Sequence, residues 1–269
     1  MRKGRGVELS GAVVVVTGAA GGIGSAVAAA FERAGSTVVR TDVGGRGDTR
    51  SLDVADLAAT RAALQGIADR YGRLDVVVAN AGVAAAGLVE DTSDDDWTRI
   101  VDINITGSVN TLRGAYPILT DAGRGSIVLM ASLAGLMGTP LLAAYGMSKA
   151  ALVGLGASVR PEAARHGVGV TVVCPGPVET PMLDSPAATP GVSPRRFLTA
   201  AAGQPMTPQR LAKHVVHAVR TDRGLVVPGR SGLLWRVARM SPRVAGALTA
   251  AGLRRELAAA EPGQVAPSG

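Results

Sequence analysis

Short runs of β-branched residues alternate with alanine-rich segments of helical spacing from residue 12 to residue 120, and this alternation is the strongest constraint on the fold. Apolar strands separated by helices are typical of βαβ units, in which consecutive strands run parallel. The runs Val13–Val16, Val76–Val78 and Ile127–Met130 are apolar throughout, as expected when helices cover both faces of a sheet. The sequence therefore predicts a single α/β domain with a doubly wound parallel sheet of about seven strands and helices on both faces.

The same periodicity predicts where the elements lie. Strands are expected at Ala12–Thr17, Thr37–Thr41, Asp75–Ala79, Ser126–Ala131, Val168–Cys174 and Leu225–Val227, with a short one near Arg50–Asp53. Helices are expected at Ile23–Ala34, Asp56–Tyr71, Asp94–Leu119, Tyr145–Arg165 and Pro208–Thr221. Residues 184–208 are rich in Pro, Ala and Thr and weakly periodic, which favours a mobile substrate loop or lid with short helical pieces.

Composition limits the class of protein and its surroundings. With 269 residues, 47% of them hydrophobic, the chain can bury a full core in one domain without disulfides or metals. Cys174 is the only cysteine, so no intrachain disulfide can form; this suits a reducing compartment, and we expect a cytoplasmic protein. No stretch approaches the roughly 18 uninterrupted apolar residues that a membrane-spanning helix needs.

Basic charge is concentrated in the last third of the chain. Residues 191–269 carry 12 basic and 3 acidic side chains, a net charge of +9, whereas the whole chain carries +7. The arginines are not interleaved with aromatic residues, so no nucleic-acid partner is expected. The segment 230–243 is both basic and amphipathic; its apolar and basic members are Leu233, Leu234, Val237, Met240, Arg236, Arg239 and Arg243.

Two interpretations of this segment stay open. A basic amphipathic segment can make peripheral contact with an anionic membrane. It can also pack on its own subunit or on a neighbour, and this interpretation is favoured because Pro242 is expected to keep each helical piece short. The final stretch, residues 261–269, is expected to be a disordered tail.

A glycine-rich loop directly follows the first predicted strand. The segment Thr17-Gly-Ala-Ala-Gly-Gly-Ile-Gly24 opens the first predicted helix. Glycines allow a tight turn and a close approach of the backbone to a pyrophosphate, whose charge is favoured by the N–H groups at a helix start. The loop therefore predicts a dinucleotide site on a Rossmann-type domain, with Gly18, Gly22, Ile23 and Gly24 as binding residues.

Asp42 bears on which dinucleotide is bound. It ends the second predicted strand, 18 residues after Gly24. A carboxylate there accepts hydrogen bonds from the adenosine ribose and repels a 2′-phosphate, which favours NAD over NADP. The alternative that Asp42 is only a turn residue before two glycines stays open. Arg40 and Arg46 are near enough to keep NADP as the less favoured cofactor.

With further spaced motifs, the chain resembles the classical short-chain dehydrogenase/reductase family over about residues 8–230. The glycine loop fits the family's T-G-x-x-x-G-x-G pattern, and the family's four catalytic positions follow in order and spacing as Asn104, Ser132, Tyr145 and Lys149. The resemblance implies an NAD(P)-binding catalytic domain over residues 1–229, followed by the basic C-terminal extension over residues 230–269.

The resemblance also implies roles for residues around the cofactor. The adenine pair would be Asp53 and Val54, the segment supporting the central sheet would be Asn80, Ala81 and Gly82, and the segment holding the nicotinamide carboxamide would contain Pro175, Gly176, Val178 and Thr180. It further implies that Lys149 binds the nicotinamide ribose and that Asn104 holds a water in a proton relay.

The chemistry can also be argued from the residue types. Tyr145 and Lys149 are four residues apart, so on a helix they share one face. An adjacent ammonium favours the phenolate, which would bring the tyrosine pKa closer to the working range of a general base. Ser132, at the end of a strand, can donate a hydrogen bond to the substrate oxygen as charge develops on it.

These residues predict an oxidoreductase that interconverts a secondary alcohol and a ketone. The substrate is expected to be aliphatic, alicyclic or steroid-like, because mostly apolar residues lie beside the predicted site: Leu133, Leu136, Met137, Leu141, Leu142, Met182, Leu183 and Phe197. An NADPH-dependent carbonyl reductase and a non-catalytic dinucleotide-binding regulator are the alternatives.

Metals and partners complete the expectations. His214 and His217 are three residues apart, but no cysteine or carboxylate cluster accompanies them, so no metal site is expected. Cys174 ends an apolar strand and is expected to be a buried, inert thiol. The resemblance implies a homodimer or homotetramer formed through helices near 94–119 and 145–165.

Overall fold

Seven parallel strands form one sheet in the order β3-β2-β1-β4-β5-β6-β7. The computed structural model describes residues 6–45 and 47–260. The strands are β1 (Val13–Thr17), β2 (Thr37–Asp42), β3 (Arg50–Ser51), β4 (Val76–Ala79), β5 (Gly125–Met130), β6 (Val168–Val173) and β7 (Leu225–Val226). The predicted seven-stranded parallel sheet is confirmed, and the bounds of each strand lie within two residues of the prediction.

Nine α-helices alternate with or follow these strands in the described part of the chain. They are α1 (Gly22–Arg33), α2 (Leu57–Tyr71), α3 (Asp94–Ile100), α4 (Gly107–Asp121), α5 (Ala143–Ala164), α6 (Pro194–Ala202), α7 (Pro208–Arg220), α8 (Arg230–Met240) and α9 (Pro242–Ala260). The predicted helix over Asp94–Leu119 has no break in the structure, but a π-helical turn, Val101–Thr106, lies between α3 and α4. Such a turn closes hydrogen bonds one residue further along the chain, which an apolar pattern with a period of 3.6 does not reveal.

The strand residues alternate between two cores, one on each face of the sheet. Val13 and Val15 of β1 face the core formed with α2, α4 and α5, whereas Val14 and Val16 face the core formed with α1 and α7. Phe31 of α1 is fully buried in the second core. This two-sided burial explains why the strands are apolar throughout.

A third, smaller core lies over the substrate segment. Leu141, Val192 and Phe197 are buried together, and Leu253 and Leu257 of α9 pack against them. The predicted lid, residues 184–208, contains α6 and the end of a short 3₁₀ turn, Pro181–Asp184, in agreement with the expected short helical pieces. The lid is therefore packed onto the C-terminal helices.

The C-terminal helices differ from the expectation in length. α8 has 11 residues and α9 has 19, so Pro242 does not keep both pieces short. Proline is compatible with the first helical position, where its missing N–H has no intrahelical partner. Pro242 occupies that position in α9 and thus begins the helix instead of interrupting it. The predicted disordered tail, residues 261–269, lies outside the described residues.

None of the helices in residues 6–45 and 47–260 is long and apolar enough to cross a membrane.

Candidate active site

A cavity of about 900 Å³ opens at the carboxyl ends of the strands. After β1 the chain adds β2 and β3 on one side and then β4 on the other, so the strand order reverses beside β1. In open α/β sheets, ligands bind at such a switch point. All the residues predicted to bind the cofactor line this cavity, as do Ser132, Tyr145 and Lys149.

The glycine loop is fixed by the segment after β4. Asn80 Nδ2 donates to the carbonyl oxygens of Thr17 and Gly18 at 2.9 and 3.2 Å, and Thr17 Oγ1 accepts from the N–H groups of Asn80 and Ala81. Gly18 has a φ of +64°, and a Cβ there would lie 2.7 Å from Ala81 Cα. Only glycine permits this turn and this contact.

The start of α1 is chemically suited to a pyrophosphate. Its N-cap, Gly21, offers no side-chain hydrogen bond, and no acidic residue occupies the first turn of this helix. The first N–H groups of α1 therefore remain available to an anion at the positive end of the helix dipole. Gly22 faces Thr180, since a Cβ on Gly22 would lie 3.0 Å from Thr180 Cγ2. The loop and the segment after β6 thus form two sides of a cradle that fits a dinucleotide.

The Asp42 carboxylate lines the cavity beside the glycine loop. Its Oδ2 accepts from the Ala20 N–H at 3.0 Å, which ties the end of β2 to the glycine loop. Arg40, which was considered as a partner for a 2′-phosphate, is instead paired with Glu32 and Asp48 at 2.9 and 3.1 Å. Arg46 lies outside the described residues.

The segment after β3 forms the neighbouring wall. Asp53 Oδ1 accepts from the Ala55 N–H at 2.9 Å, and Val54 is buried. Asn110 of α4 donates from Nδ2 to the carbonyl oxygens of Val54 and Ala55 at 3.0 and 2.9 Å. Asn110 was not among the predicted site residues, because its bracing role depends on contacts with the loop after β3 that the spacing of residues along α4 does not indicate.

Tyr145 and Lys149 lie on the same face of α5, opposite the end of β5. The Ser132 side chain hydrogen-bonds to the Tyr145 hydroxyl, and its Oγ accepts from the Ala134 N–H at 3.2 Å. Lys149 Nζ donates to the Met130 carbonyl oxygen at 2.9 Å and lies 5.5 Å from the centre of the Tyr145 ring. The arrangement places a hydroxyl donor, a phenol and an amine around one end of the cavity.

Burial is the main cause of the pKa shifts of Tyr145, Lys149 and the neighbouring Cys174. It lowers the pKa of Lys149 to about 8 and raises the pKa of Cys174, a buried thiol behind the site, to about 12. Burial also raises the pKa of Tyr145, against the lowering effect of the Ser132 hydrogen bond. This direction is opposite to the expected one, because the loss of hydration on burial disfavours the charged phenolate more than the Ser132 hydrogen bond favours it.

Asn104 lies in the π-helical turn and braces the site from behind. Its Oδ1 accepts from the Val83 N–H at 2.8 Å, and its Nδ2 donates to the Val83 carbonyl and to Ser148 Oγ, both at 2.9 Å. Ser148 in turn donates to the Tyr145 carbonyl oxygen at 2.7 Å. Asn104 therefore joins the loop after β4 to the helix that carries the tyrosine, and its role in holding a water remains a prediction.

The predicted nicotinamide segment follows β6. The Leu133 N–H donates to the Pro175 carbonyl oxygen at 2.7 Å, so this segment is fixed to the loop that carries the serine. Gly176 faces the start of α8, where a Cβ would lie 2.2 Å from Ser231 Oγ. The C-terminal helices thus contact the cofactor end of the cavity as well as the lid.

The substrate end of the cavity is mainly apolar. Six of the eight predicted residues line it: Leu133, Met137, Leu142, Met182, Leu183 and Phe197. The other two do not, because Leu136 packs against the first core and Leu141 belongs to the third. Asp95, Arg99 and Asp102 add a charged rim.

Two cavity residues come from the C-terminal helices and were missed. Leu234 of α8 and Thr249 of α9 both line the wall. Their region is held by Glu256, which is 4% exposed and accepts from the Ser193 N–H at 2.8 Å and from Arg196 at 2.6 and 2.8 Å. Nothing in the spacing of the C-terminal apolar residues indicates which of them reach a cavity formed by distant strands.

The histidines lie away from this chemistry. His214 and His217 are on α7, and burial lowers the pKa of His214. Within the described ranges 6–45 and 47–260, no three His, Cys, Asp or Glu side chains are grouped so that they could hold a metal ion.

Comparison with known families decides the assignment. Residues 12–190 match the model of the short chain dehydrogenase family. The chain belongs to this family. It is 37% identical over 193 residues to oxidoreductase UcpA of Salmonella typhimurium, a match covering 66% of this chain and 73% of that protein. It is also 34% identical over 192 residues to a 3beta-hydroxysteroid dehydrogenase of Mediterraneibacter gnavus, covering 65% and 69%.

A solved structure agrees with this assignment. A short chain dehydrogenase/reductase from Burkholderia phymatum in complex with NAD has a TM-score of 0.77 and 25% identity, covering 88% of this chain and 96% of the other. This short-chain dehydrogenase is thus an NAD(P)-dependent oxidoreductase with a Rossmann-type α/β domain. The family match ends at residue 190, before the helix α6 of the lid.

Proposed function

We propose that this short-chain dehydrogenase uses NAD to interconvert a secondary alcohol and a ketone on a small apolar substrate. The observation that carries the proposal is the Ser132, Tyr145 and Lys149 group at one end of a cavity whose other end contains the glycine loop and Asp42. One cavity therefore has room for a dinucleotide and for a reacting oxygen beside the phenol.

The side chains divide the work of proton transfer. In oxidation, the Tyr145 phenolate takes the hydroxyl proton of the alcohol and becomes the phenol; in reduction, the phenol gives this proton to the carbonyl oxygen and becomes the phenolate. Ser132 donates to the same oxygen and stabilises its developing charge. NAD, when bound, accepts the carbinol hydride. Lys149 is proposed to bind the nicotinamide ribose, and the N–H groups at the start of α1 the pyrophosphate.

The proposed substrate class follows from the cavity wall. Leucine, methionine and phenylalanine side chains surround the site of reaction, which favours an aliphatic, alicyclic or steroid-like skeleton. The similarity to a hydroxysteroid dehydrogenase supports this class. The charged rim formed by Asp95, Arg99 and Asp102 lies on the same cavity and would suit a polar group at one end of the substrate.

Asp42 is the basis for proposing NAD over NADP. Its carboxylate lines the adenosine end, and the Arg40 guanidinium beside it is already paired with two carboxylates. A 2′-phosphate placed here would meet a negative charge. NADP is therefore the less favoured cofactor.

The test is turnover measured by nicotinamide absorbance with a panel of apolar secondary alcohols and ketones. We expect activity with NAD and a loss of roughly 10²- to 10⁴-fold in Tyr145→Phe, with NAD binding retained. The isosteric Asp42→Asn keeps an acceptor for the Ala20 N–H but removes the charge, and should lower the preference for NAD by at least roughly tenfold. Faster turnover of the unaltered enzyme with NADP would contradict the role of Asp42, and full activity of Tyr145→Phe would contradict the mechanism.

The wider organisation is part of the proposal. Residues 1–229 would form the catalytic domain and residues 230–269 an extension that closes the substrate cavity. We propose a homodimer or homotetramer built on the helices near 94–119 and 145–165; the second of these ranges lies mostly in α5, where Ala151 and Ala157 are exposed small side chains. The single buried cysteine suits a cytoplasmic location.

A further inference from the structure

Half of the large exposed apolar side chains in the described residues lie in one 16-residue stretch. Of ten such residues, five are Leu233 (67% exposed), Val237 (51%), Met240 (86%), Val244 (53%) and Leu248 (66%). We call these five the C-terminal stripe. Isolated exposed leucines are common on protein surfaces, but a concentration of this kind marks an interaction surface.

Helix geometry places the three stripe residues of α8 on one face of that helix, and the other two, Val244 and Leu248, follow in α9. Leu233, Val237 and Met240 are spaced by four and three residues, so they share a side of the helix. The buried residues of α8 are Ser231 and Ala238, about 140–160° around the helix from Leu233 at 100° per residue. α8 therefore packs on its own subunit with one side, as the sequence analysis favoured, and presents an apolar side to the surroundings.

Arginines flank this apolar side. Arg230 and Arg236 lie three residues before and after Leu233, at about 60° on either side of it, and both are exposed. Arg239 is also exposed but lies about 120° around the helix from Leu233, with its guanidinium 5.9 Å from the centre of the Trp235 ring, and the exposed Arg243 follows in α9. Residues 230–260 contain six arginines and a single acid, Glu256, which is buried against Arg196.

We propose that the C-terminal stripe docks on the surface of an anionic lipid membrane. Apolar side chains enter the boundary between headgroups and acyl chains, while the arginines remain at the level of the phosphates. A second copy of the chain is disfavoured, because a twofold contact of this face with itself would bring arginines of one copy against those of the other. A soluble polyanion would satisfy the arginines but would leave five apolar side chains in water.

The position of the stripe connects it to the cavity. Leu234, the residue next to Leu233, lines the cavity wall, so one helix separates the proposed lipid surface from the substrate site. An apolar substrate dissolved in the bilayer would then have a short path to the site. This last point rests on the proposed function, whereas the docking itself does not require any turnover.

Docking is tested by co-sedimentation of the full chain with vesicles of phosphatidylcholine alone and of phosphatidylcholine mixed with phosphatidylglycerol. We expect binding to the mixed vesicles, weaker binding to phosphatidylcholine, and a decrease as salt is raised. The triple variant Arg236→Gln/Arg239→Gln/Arg243→Gln should bind between roughly 10- and 100-fold more weakly. The variant Leu233→Ser/Val237→Ser/Met240→Ser should lose binding although its charge is unchanged.

Two control variants separate the stripe from net charge and from general hydrophobicity. Arg210→Gln/Lys213→Gln/Arg223→Gln removes the same charge from exposed positions elsewhere in the last third of the chain and should bind as the unaltered protein does. Val89→Ser removes an equally exposed apolar side chain and should also have no effect. Circular dichroism and the unfolding midpoint establish that each variant is folded.

Three outcomes would overturn the proposal. The first is equal loss of binding in the charge-matched control, which would indicate an effect of net charge. The second is absence of binding to the mixed vesicles at low salt. The third is a smaller mass of the serine variant in sedimentation without any change in vesicle binding, which would assign the stripe to a contact between copies. None of these outcomes depends on whether the protein oxidises the proposed substrates.

Discussion

Lys149 in the family-matched part of the chain and Glu256 in the C-terminal helices are each 4% exposed, but their partners differ. The Lys149 amine donates to one backbone carbonyl, and its pKa is lowered by burial to about 8. Burial alone would raise the pKa of Glu256, but hydrogen bonds from Arg196 and Ser193 outweigh it, and the pKa is lowered. In the first region, the Lys149 amine beside the catalytic residues loses its proton readily. In the second region, the Glu256 carboxylate, both oxygens of which accept hydrogen bonds, holds the lid.

Among the changes that compare the two regions, the largest effect is expected in the catalytic region. Ser132→Ala removes the donor to the substrate oxygen, and we expect kcat to fall by roughly 10²- to 10³-fold because charge on that oxygen loses its hydrogen bond. Steady-state kinetics with saturating cofactor is the measurement. Ser132→Thr, which keeps a hydroxyl, is the control and should retain more activity; a loss confined to KM would mean that Ser132 only shapes the cavity.

A change in the lid should act on access to the site and leave the chemical step less affected. Arg196→Met leaves the buried Glu256 without its guanidinium, and hydrogen exchange over residues 193–203 and 250–258 should accelerate between roughly 10- and 100-fold. KM should rise more than kcat falls. Arg195→Met is a matched control, because the partners of Arg195 within the described part of the chain are the exposed carboxylates Glu179 and Asp184.

Two results would remove the contrast between the regions. Equal exchange in the Arg196 and Arg195 variants would mean that burial of Glu256 does not hold the lid. A fall in kcat at constant KM would mean that the lid takes part in the chemical step.

The smallest expected effect concerns Lys149 and pH. Its folded pKa of about 8 lies below the ordinary 10.5, so the unfolded chain binds more protons between these values and the free energy of unfolding rises with pH there. From pH 8 to 9.5 the gain is about 1.5 kcal/mol relative to Lys149→Met, measured by equilibrium urea unfolding. The comparison with the variant is needed because Cys174, whose pKa is raised, acts with the opposite sign above its ordinary pKa. Parallel curves for the two proteins would show that Lys149 stays protonated when folded.

The two regions also differ in how far the sequence predicts them. The strand positions could be predicted from continuous apolar runs such as Val13–Val16. A strand that is covered by a core on both faces carries apolar residues at successive positions, and this pattern is visible in the sequence. The site residues could be predicted where they lie close together in the sequence, as Tyr145 and Lys149 do on one face of a helix. By contrast, the burial of Tyr145 and the contact of Lys149 with the Met130 carbonyl depend on how distant segments pack, and the burial reversed the expected direction of the Tyr145 pKa.

The lid was predicted only in outline, for a related reason. Its burial depends on partners more than 50 residues away, as in the pair of Arg196 and Glu256. The composition of residues 184–208 indicates weak periodicity but not the α9 surface that supports them. Likewise, Leu233 and Leu234 are chemically identical neighbours, and only the orientation of α8 sends one toward the surroundings and the other toward the cavity.

The π-helical turn Val101–Thr106 makes the length of one segment as important as its residue types. Each residue advances an α-helix by about 100°, so a deletion or insertion here would rotate α4 by that angle relative to Asn104. Such a deletion or insertion would hardly alter the number of apolar residues in this segment. Yet either Asn110, which braces the loop at Val54, or Asn104, which braces the loop at Val83, would turn away from its partner. The number of residues between Asn104 and Asn110 therefore fixes the relative orientation of these two side chains, each of which braces one end of the cavity.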